Sequence, residues 1–271
     1  IGDAGWKFTG AIDEVYVYAS ALDAVSIQAL YDAVTAAPTV TPLPTSNFFQ
    51  TTLVAHYSFD DGTAAEDSDG SLDGTIHSAT ATIGRDGSGA LSFDGVDDYV
   101  EFPAEVTADI LGNSDRTVCL WLQRDTTSWT DGVFFSYGDD ATNMGSFTLR
   151  SDCCSENVLV ERHGQGNNDD VSVSGFDDGG WHHACMTYED SVGTKVYFDG
   201  SLARHMDSRT LDTQSTHALH IGANIGDAGW KFTGAIDEVY VYASALDAVS
   251  IQALYDAVTA APTVTPLPTS N

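Results

Sequence analysis

Positive charge is what this chain lacks most. Its 271 residues carry 10 Lys and Arg against 40 Asp and Glu, a formal net charge of −30. Nucleic acid and anionic membranes are disfavoured partners for such a chain, and cations are favoured. Acidity of this kind also serves solubility in a salty or extracellular setting. No run of 18 apolar residues occurs, so no membrane-spanning helix is expected. No signal peptide is visible, as expected of a segment from a repeat array. No Asn-x-Ser/Thr sequon occurs. Cysteine is scarce: Cys119, Cys153, Cys154 and Cys185 allow three pairings. Cys119 and Cys185 both fall mid-strand, which favours a cross-sheet bridge between them. Cys153 and Cys154 are then a vicinal bridge or two thiols, and a fully reduced set is the alternative.

What the chain does have is repetition. Residues 1–47 recur letter for letter as 225–271, an offset of 224 (225 − 1). Each copy reads as a strand followed by a short helix. In the first, Ile12 to Tyr18 is β-branched and aromatic. Asp23 is a good N-cap, and Ile27, Leu30 and Tyr31 make an apolar stripe at helical spacing. A strand and a two- to three-turn helix cannot fold alone. The expected organisation is therefore 1–35 as the C-terminal strand and helix of a preceding repeat and 36–52 as a linker. Residues 53–258 are expected to form the domain, and 259–271 the linker to the next repeat. The linker mixes three prolines with threonines and reads as an extended spacer. Thr39, Thr41, Thr45 and Ser46 are candidate O-glycosylation sites. Phe48 and Phe49 are expected to dock on a neighbouring domain and fix the spacing.

From Leu53 onward, short alternating runs follow one another with turn signals between them. They include Leu53–Phe59, Ala90–Phe93, Arg116–Gln123, Val133–Tyr137, Ser146–Arg150, Val158–Arg162, Trp181–Tyr188 and Lys195–Phe198. Asp199-Gly200 is a hairpin signal and residues 164–170 read as a turn. Many short strands with few helices predict an all-β sandwich.

Several stretches resemble a known family. They are Leu53-Val-Ala-His-Tyr-Ser-Phe-Asp60, the 67–74 acidic glycine loop, Gly89-Ala-Leu-Ser-Phe-Asp-Gly-Val-Asp-Asp-Tyr-Val100 and Trp181-His-His. Val196-Tyr-Phe-Asp-Gly200, Ile221-Gly-Ala223, and Phe232-Thr-Gly-Ala-Ile-Asp-Glu-Val239 with Ile251-Gln-Ala-Leu-Tyr255 complete the set. Together they resemble laminin-G-like jelly-roll domains of the concanavalin A-like superfamily. The resemblance implies a two-sheet antiparallel jelly-roll sandwich with one short C-terminal helix per repeat. It also implies an extracellular setting, glycan or protein ligands and a structural calcium ion.

Calcium takes six to eight oxygen ligands. The loops after the first strand offer Asp60, Asp67, Asp69 and Asp73, and the resemblance brings Asp237 toward them. For glycans, an aromatic near loops is the usual platform. Trp129 in a polar loop ranks first, Trp230 second and Tyr137 third, whereas Trp121 and Trp181 read as core. Catalytic residues are not expected: Asp237 and Glu238 are adjacent on a strand, so they should point to opposite faces and cannot flank one glycosidic bond. His182, His183, His217 and His220 read as structural residues, not zinc ligands. The functional expectation is a non-enzymatic structural repeat of an extracellular fibre or cell-surface stalk, partnered by neighbouring copies. The alternative is a carbohydrate-binding or adhesion module acting through multivalency.

Overall fold

The computed structural model describes residues 52–62, 64–68, 71–127, 132–152, 155–207, 209–224 and 230–259. The expected linkers, the first copy of the repeat, the O-glycosylation sites Thr39, Thr41, Thr45 and Ser46, and Phe48 and Phe49 lie outside them. So do Asp69, Trp129, Cys153 and Cys154.

The described residues form two antiparallel sheets. The eight-stranded sheet runs Ser201–Asp207 (β13), Gly193–Phe198 (β12), Trp181–Glu189 (β11), Arg116–Arg124 (β6), Thr233–Tyr242 (β15), Gly89–Asp94 (β4) and Thr80–Ile83 (β3). Leu53–Tyr57 (β1) also pairs with β15. The seven-stranded sheet runs Asn168–Ser172 (β10), Val158–Arg162 (β9), Ser146–Ser151 (β8), Val133–Gly138 (β7), His220–Ile221 (β14), Tyr99–Glu101 (β5) and Thr75–His77 (β2). Ala104–Ile110 is a 3-10 helix, and Ala248–Thr259 (α1) is the C-terminal helix. The jelly-roll sandwich expected from the sequence is the fold found. Two details differ. Residues 168–172 form the edge strand β10 where a turn was expected, and β2 and β3 carry too little apolar alternation to be read in advance.

The core lies between the sheets. Leu91, Phe93, Leu120, Leu122, Ile236, Val239 and Val241 face it from the larger sheet, and Val100, Phe135, Phe147, Leu149, Leu159 and Ile221 from the smaller. A second apolar cluster lies on the outer face of the larger sheet. There Leu246, just before α1, and Ile251 and Leu254 of α1 pack onto Cys119, Cys185, Tyr197, Tyr240 and Tyr242. Cys119 and Cys185 are disulfide-bonded, the pairing the sequence suggested, but the bridge does not run between the two sheets as expected. The bridge joins β6 and β11, neighbours within one sheet, because the two residues are direct cross-strand partners.

Local chemistry explains the joints. Asp199 (φ 47°) and Gly200 (φ 75°) make the tight β12–β13 turn that Asp-Gly signals. Gly234 (φ 147°) permits close approach of β6, since a Cβ there would lie 2.1 Å from the Gln123 carbonyl oxygen. Asp247, the counterpart of Asp23, caps α1: its Oδ1 accepts the Ser250 amide at 2.8 Å. The Ser250 hydroxyl, and then its amide, hold the Asp247 carboxyl below the usual carboxylate range. Asp247→Ala should therefore cost about 1 kcal/mol. Urea unfolding would show this as a lower midpoint with an unchanged slope.

Candidate functional site

Strand alternation gives the seven-stranded sheet an outer face of Ser136, Thr148, Arg150, Arg162 and His220, opposite the core-facing aromatics. Ala223, after β14, and Lys231, before β15, are joined by an isolated bridge beside this face. Trp230 is half-buried. The Arg150 and Arg162 guanidiniums lie 4.9 and 4.5 Å from the indole centroid, within cation–π range. Arg162 is also paired with Asp140 at 3.3 Å, and Asp140 accepts a hydrogen bond from the Asn224 amide. Farther along, the Lys231 ammonium sits 5.1 Å from the Tyr99 ring, which stacks on His77 at 4.1 Å. Trp230 was legible as an aromatic in a loop. Its arginine partners were not, because they come from strands 68–80 residues earlier in the chain.

The other predicted platforms fare differently. Tyr137 is a correction: it is 1% exposed and packs between the sheets. Its hydroxyl donates to the Ile110 carbonyl at 3.3 Å and accepts from Arg116 at 3.4 Å, so it has polar partners without solvent. Trp121 is buried as expected, but Trp181 is only half-buried. On the outer face of the eight-stranded sheet, a groove of about 620 Å³ is lined by Ser92, Asp94, Gln123, Asp125, Thr126 and Thr233.

Of the five carboxylates proposed for calcium, Asp69 lies outside the described residues, and the other four do not converge as a set. Asp67 and Asp73 do meet: the Asp67 amide donates to Asp73 Oδ1 at 3.1 Å. Asp67 is 4% exposed, its Oδ1 accepts the His56 amide, and its Oδ2 is buried with no hydrogen-bond partner among the described residues. The two carboxylates also face the Tyr57 hydroxyl, which burial and then their negative charge push well above the usual tyrosine range. Asp60 instead lines a shallow pocket with Asp61 and Glu66 beyond β1. Asp237 sits on the outer face of β15 against the 84–89 loop, where its Oδ2 accepts the Arg85 amide at 3.2 Å. The sequence reading passed over Asp94, Asp97 and Asp98, whose oxygens lie within 4.8 Å of one another. They fold the β4–β5 turn on themselves through backbone amides of Val96 and Asp94.

The Asp237–Glu238 geometry also corrects the expectation. A bulge interrupts the β15–β6 register between Asp237 and Tyr240, and Glu238 has φ 51°. Ile236 and Val239 both face the core, so Asp237 and Glu238 share the outer face. Glu238 accepts from the Tyr240 hydroxyl at 2.5 Å and pairs with His56 Nε2 at 2.7 Å. Asp237 is 1% exposed. Burial, and then the charge of Glu238, push its carboxyl up to about 8. Beside it the Arg85 guanidinium lies 4.0 Å from the Trp121 ring, which stacks on Tyr255 of α1. The histidines serve the fold. His182 bridges Asp199 at 2.9 Å and Asp178 at 3.2 Å, and burial pushes His183 down to about 3. The Cys119–His183–Cys185 cluster has its two sulfurs committed to each other.

A sequence profile of the concanavalin A-like lectin/glucanase superfamily matches residues 93–252. The chain belongs to this superfamily. No curated protein matches the sequence. Among solved structures, domain 4 of AbnA, an extracellular arabinanase of Geobacillus stearothermophilus, in complex with arabinotriose, superposes with a TM-score of 0.58. Identity is 21%, over 75% of this chain and 98% of that one. The binding domain of Paraclostridial mosquitocidal protein 1 matches at 0.58 and 14% identity, over 77% of this chain and 52% of that one. Trypanosoma rangeli sialidase matches at 0.59 and 16% identity, over 85% and 38%. The chain thus spans about half of the mosquitocidal protein's chain and less of the sialidase. At these identities the likeness establishes the shared sandwich.

Three shifted groups, Asp237, His182 and His183, make the stability of this sandwich depend on pH. Asp237 keeps its proton in the fold where the unfolded chain has lost it. Its contribution is greatest below about 4 and declines until about 8. Burial disfavours charge on His182, but Asp199 and Asp178 outweigh it and raise its value. That contribution is complete below the ordinary histidine range and fades as pH rises through the raised value. His183 acts oppositely, costing stability as pH falls from the ordinary histidine value toward 3. Asp237→Asn removes the first effect alone. The variant should gain about 1–3 kcal/mol on the wild type between pH 5 and pH 8. Parallel urea titrations at the two pH values measure the gap; a constant gap would mean Asp237 is ionised in the fold.

Proposed function

We propose that this chain is a non-catalytic, extracellular carbohydrate-binding domain whose ligand stacks on Trp230. The observation that carries this reading is a half-exposed indole seated on two guanidiniums at the outer face of the seven-stranded sheet. Aromatic faces bind the apolar faces of sugars, and the surrounding polar groups orient hydroxyls. A relative of the same fold is described in complex with arabinotriose, which makes oligosaccharides the first ligands to try. The buried disulfide suits an oxidising compartment. The non-catalytic reading rests on Asp237 and Glu238: both are held by internal partners, and Asp237 is covered.

A second role is compatible with the first. The verbatim repeat and the Pro/Thr spacers favour a structural array, a fibre or stalk, in which neighbouring copies supply avidity. O-glycosylation at Thr39, Thr41, Thr45 and Ser46 would stiffen and protect such spacers. Trp230→Ala should weaken oligosaccharide binding at least tenfold, about 1.4 kcal/mol. Calorimetry against arabinotriose and an oligosaccharide array measures it, with exposed Ile83→Ser as the control. Wild-type binding that survives Trp230→Ala would remove this face from the reading.

Calcium belongs to the same proposal, at Asp67 and Asp73. The fit rests on Asp67 Oδ2, a buried oxygen with no hydrogen-bond partner among the described residues, beside a second carboxylate. A bound ion would tie Asp73 to Asp67 and satisfy that oxygen. Millimolar calcium should raise the thermal midpoint by several degrees and chelator should reverse it. Asp67→Ala should abolish the response; an equal calcium shift in that variant would place the ion elsewhere.

A further inference from the structure

The outer face of the eight-stranded sheet is divided in two. Toward α1 it is filled: Trp121 stacks on Tyr255, and the Arg85 guanidinium lies over Trp121. Beyond that contact lies the groove of about 620 Å³. Strand register explains the recess. Thr80 of β3 pairs with Ser92 of β4, Ser92 with Ala235 of β15, Ala235 with Gln123 of β6, and Gln123 with Trp181 of β11. Directly paired residues share a face. Leu91, Phe93, Leu122 and Ile236 face the core, so this row faces outward. It crosses five strands, roughly 19 Å at the usual strand spacing. Its middle is low because Ala235 and the adjoining Gly234 have almost no side chain. Along one wall the Gln123 side-chain amide donates to the Gly179 carbonyl at 2.8 Å.

The lining has the chemistry of a ligand site. The hydroxyls of Thr82, Ser92 and Thr126 have no hydrogen-bond partner among the described residues. Trp181, at the end of the row, is half-buried, and its ring has no aromatic or cationic partner among the described residues. Trp121 and Trp230, by contrast, both have such partners. Arg124 at the groove is paired with Asp177, whereas Asp94 and Asp125 add negative charge at the rim. An accessible indole beside unpaired hydroxyls suits a sugar, and the carboxylates disfavour an anionic one.

We propose that this groove is a second carbohydrate site, on the opposite sheet from Trp230, and that it takes a neutral oligosaccharide laid across the strands with one sugar ring on Trp181. It shares no residue with the Trp230 face, so the two sites stand or fall separately. A shallow, open groove recovers little of the cost of ordering a ligand, so half-saturation is expected at roughly millimolar sugar.

The test follows the Trp181 indole N–H in proton–nitrogen spectra of the full chain labelled with nitrogen-15 tryptophan. Trp181→Phe identifies that signal among the five tryptophans. Arabinotriose, xylotriose, cellotriose and maltotriose are titrated in turn, and at least one should move the signal saturably, in Trp230→Ala as in the wild type. Ser92→Leu fills the middle of the groove from its outer side and should weaken that response at least roughly tenfold. Thr82→Leu, on the edge strand, fills it from the far side and serves if near-ultraviolet circular dichroism shows Ser92→Leu misfolded. Trigalacturonate, an acidic sugar of the same length, should bind at least roughly tenfold more weakly than the best neutral one. A Trp181 signal that no neutral sugar moves would overturn the site. So would a response that is lost in Trp230→Ala or unchanged in a folded groove-filling variant. Trigalacturonate binding as tightly as the neutral sugars would overturn the assignment of ligand class.

Discussion

The structure depends on β15 being enclosed on every side. Both of its edges are hydrogen-bonded, one face lies in the core between the sheets, and the other lies beneath α1 and the 84–89 loop. This ten-residue strand completes the larger sheet. The bulge at Asp237–Tyr240 is the cost of serving three neighbours. By turning two successive side chains outward, it lets β4 pair with the first half and β1 with the second. Asp237 then fastens the bulge: its oxygens accept the amides of Arg85 and Glu238, and its proton is retained because burial leaves no room for charge.

Positive charge is used inside, which sharpens the acidity outside. Arg116 is fully buried, donating to the carbonyls of Ile110, Gly112 and Ser114 and to the Thr213 hydroxyl, with its guanidinium over the Tyr188 ring. Arg124 is paired with Asp177. Burial pushes the Glu161 carboxyl up, yet His163 and Thr194 with the charge of Arg209 hold it below its ordinary value. Cations spent in this way satisfy buried oxygens and do not offset surface carboxylates. The Trp230 face is where two arginines instead serve an aromatic that solvent can reach.

The legible parts of the sequence were those whose cause is local. The Asp199-Gly200 turn, the Asp247 cap and the Ile251–Leu254–Tyr255 stripe each need only a few neighbouring residues, and each was found where it was read. The missed parts depend on distant partners. The edge strand β10 begins Asn168-Asp169-Asp170 and shows no apolar alternation, but Arg204 and Arg209 hold Asp169. Strict alternation assigned Asp237 and Glu238 to opposite faces, and no local signal marks the bulge that undoes it. Tyr137 was ranked as an aromatic near loops, but its ring lies between the sheets with its hydroxyl satisfied internally. Arg116 and the Ile110 carbonyl supply what water would have supplied. Loop proximity grouped Asp60 with Asp67, but the turn at Asp61–Gly62 sends them to different surroundings.

The Trp230 face depends on the same strand. Trp230 and Lys231 stand immediately before β15, whereas Arg150, Arg162 and Tyr99 belong to the smaller sheet. The indole therefore reaches its guanidiniums only when β15 is seated in the larger sheet. A sandwich without that strand would keep the arginines and lack the aromatic between them and solvent. The pairing of β15 with β6, β4 and β1 thus does more than complete one sheet: it also sets an aromatic ring on the outer face of the other.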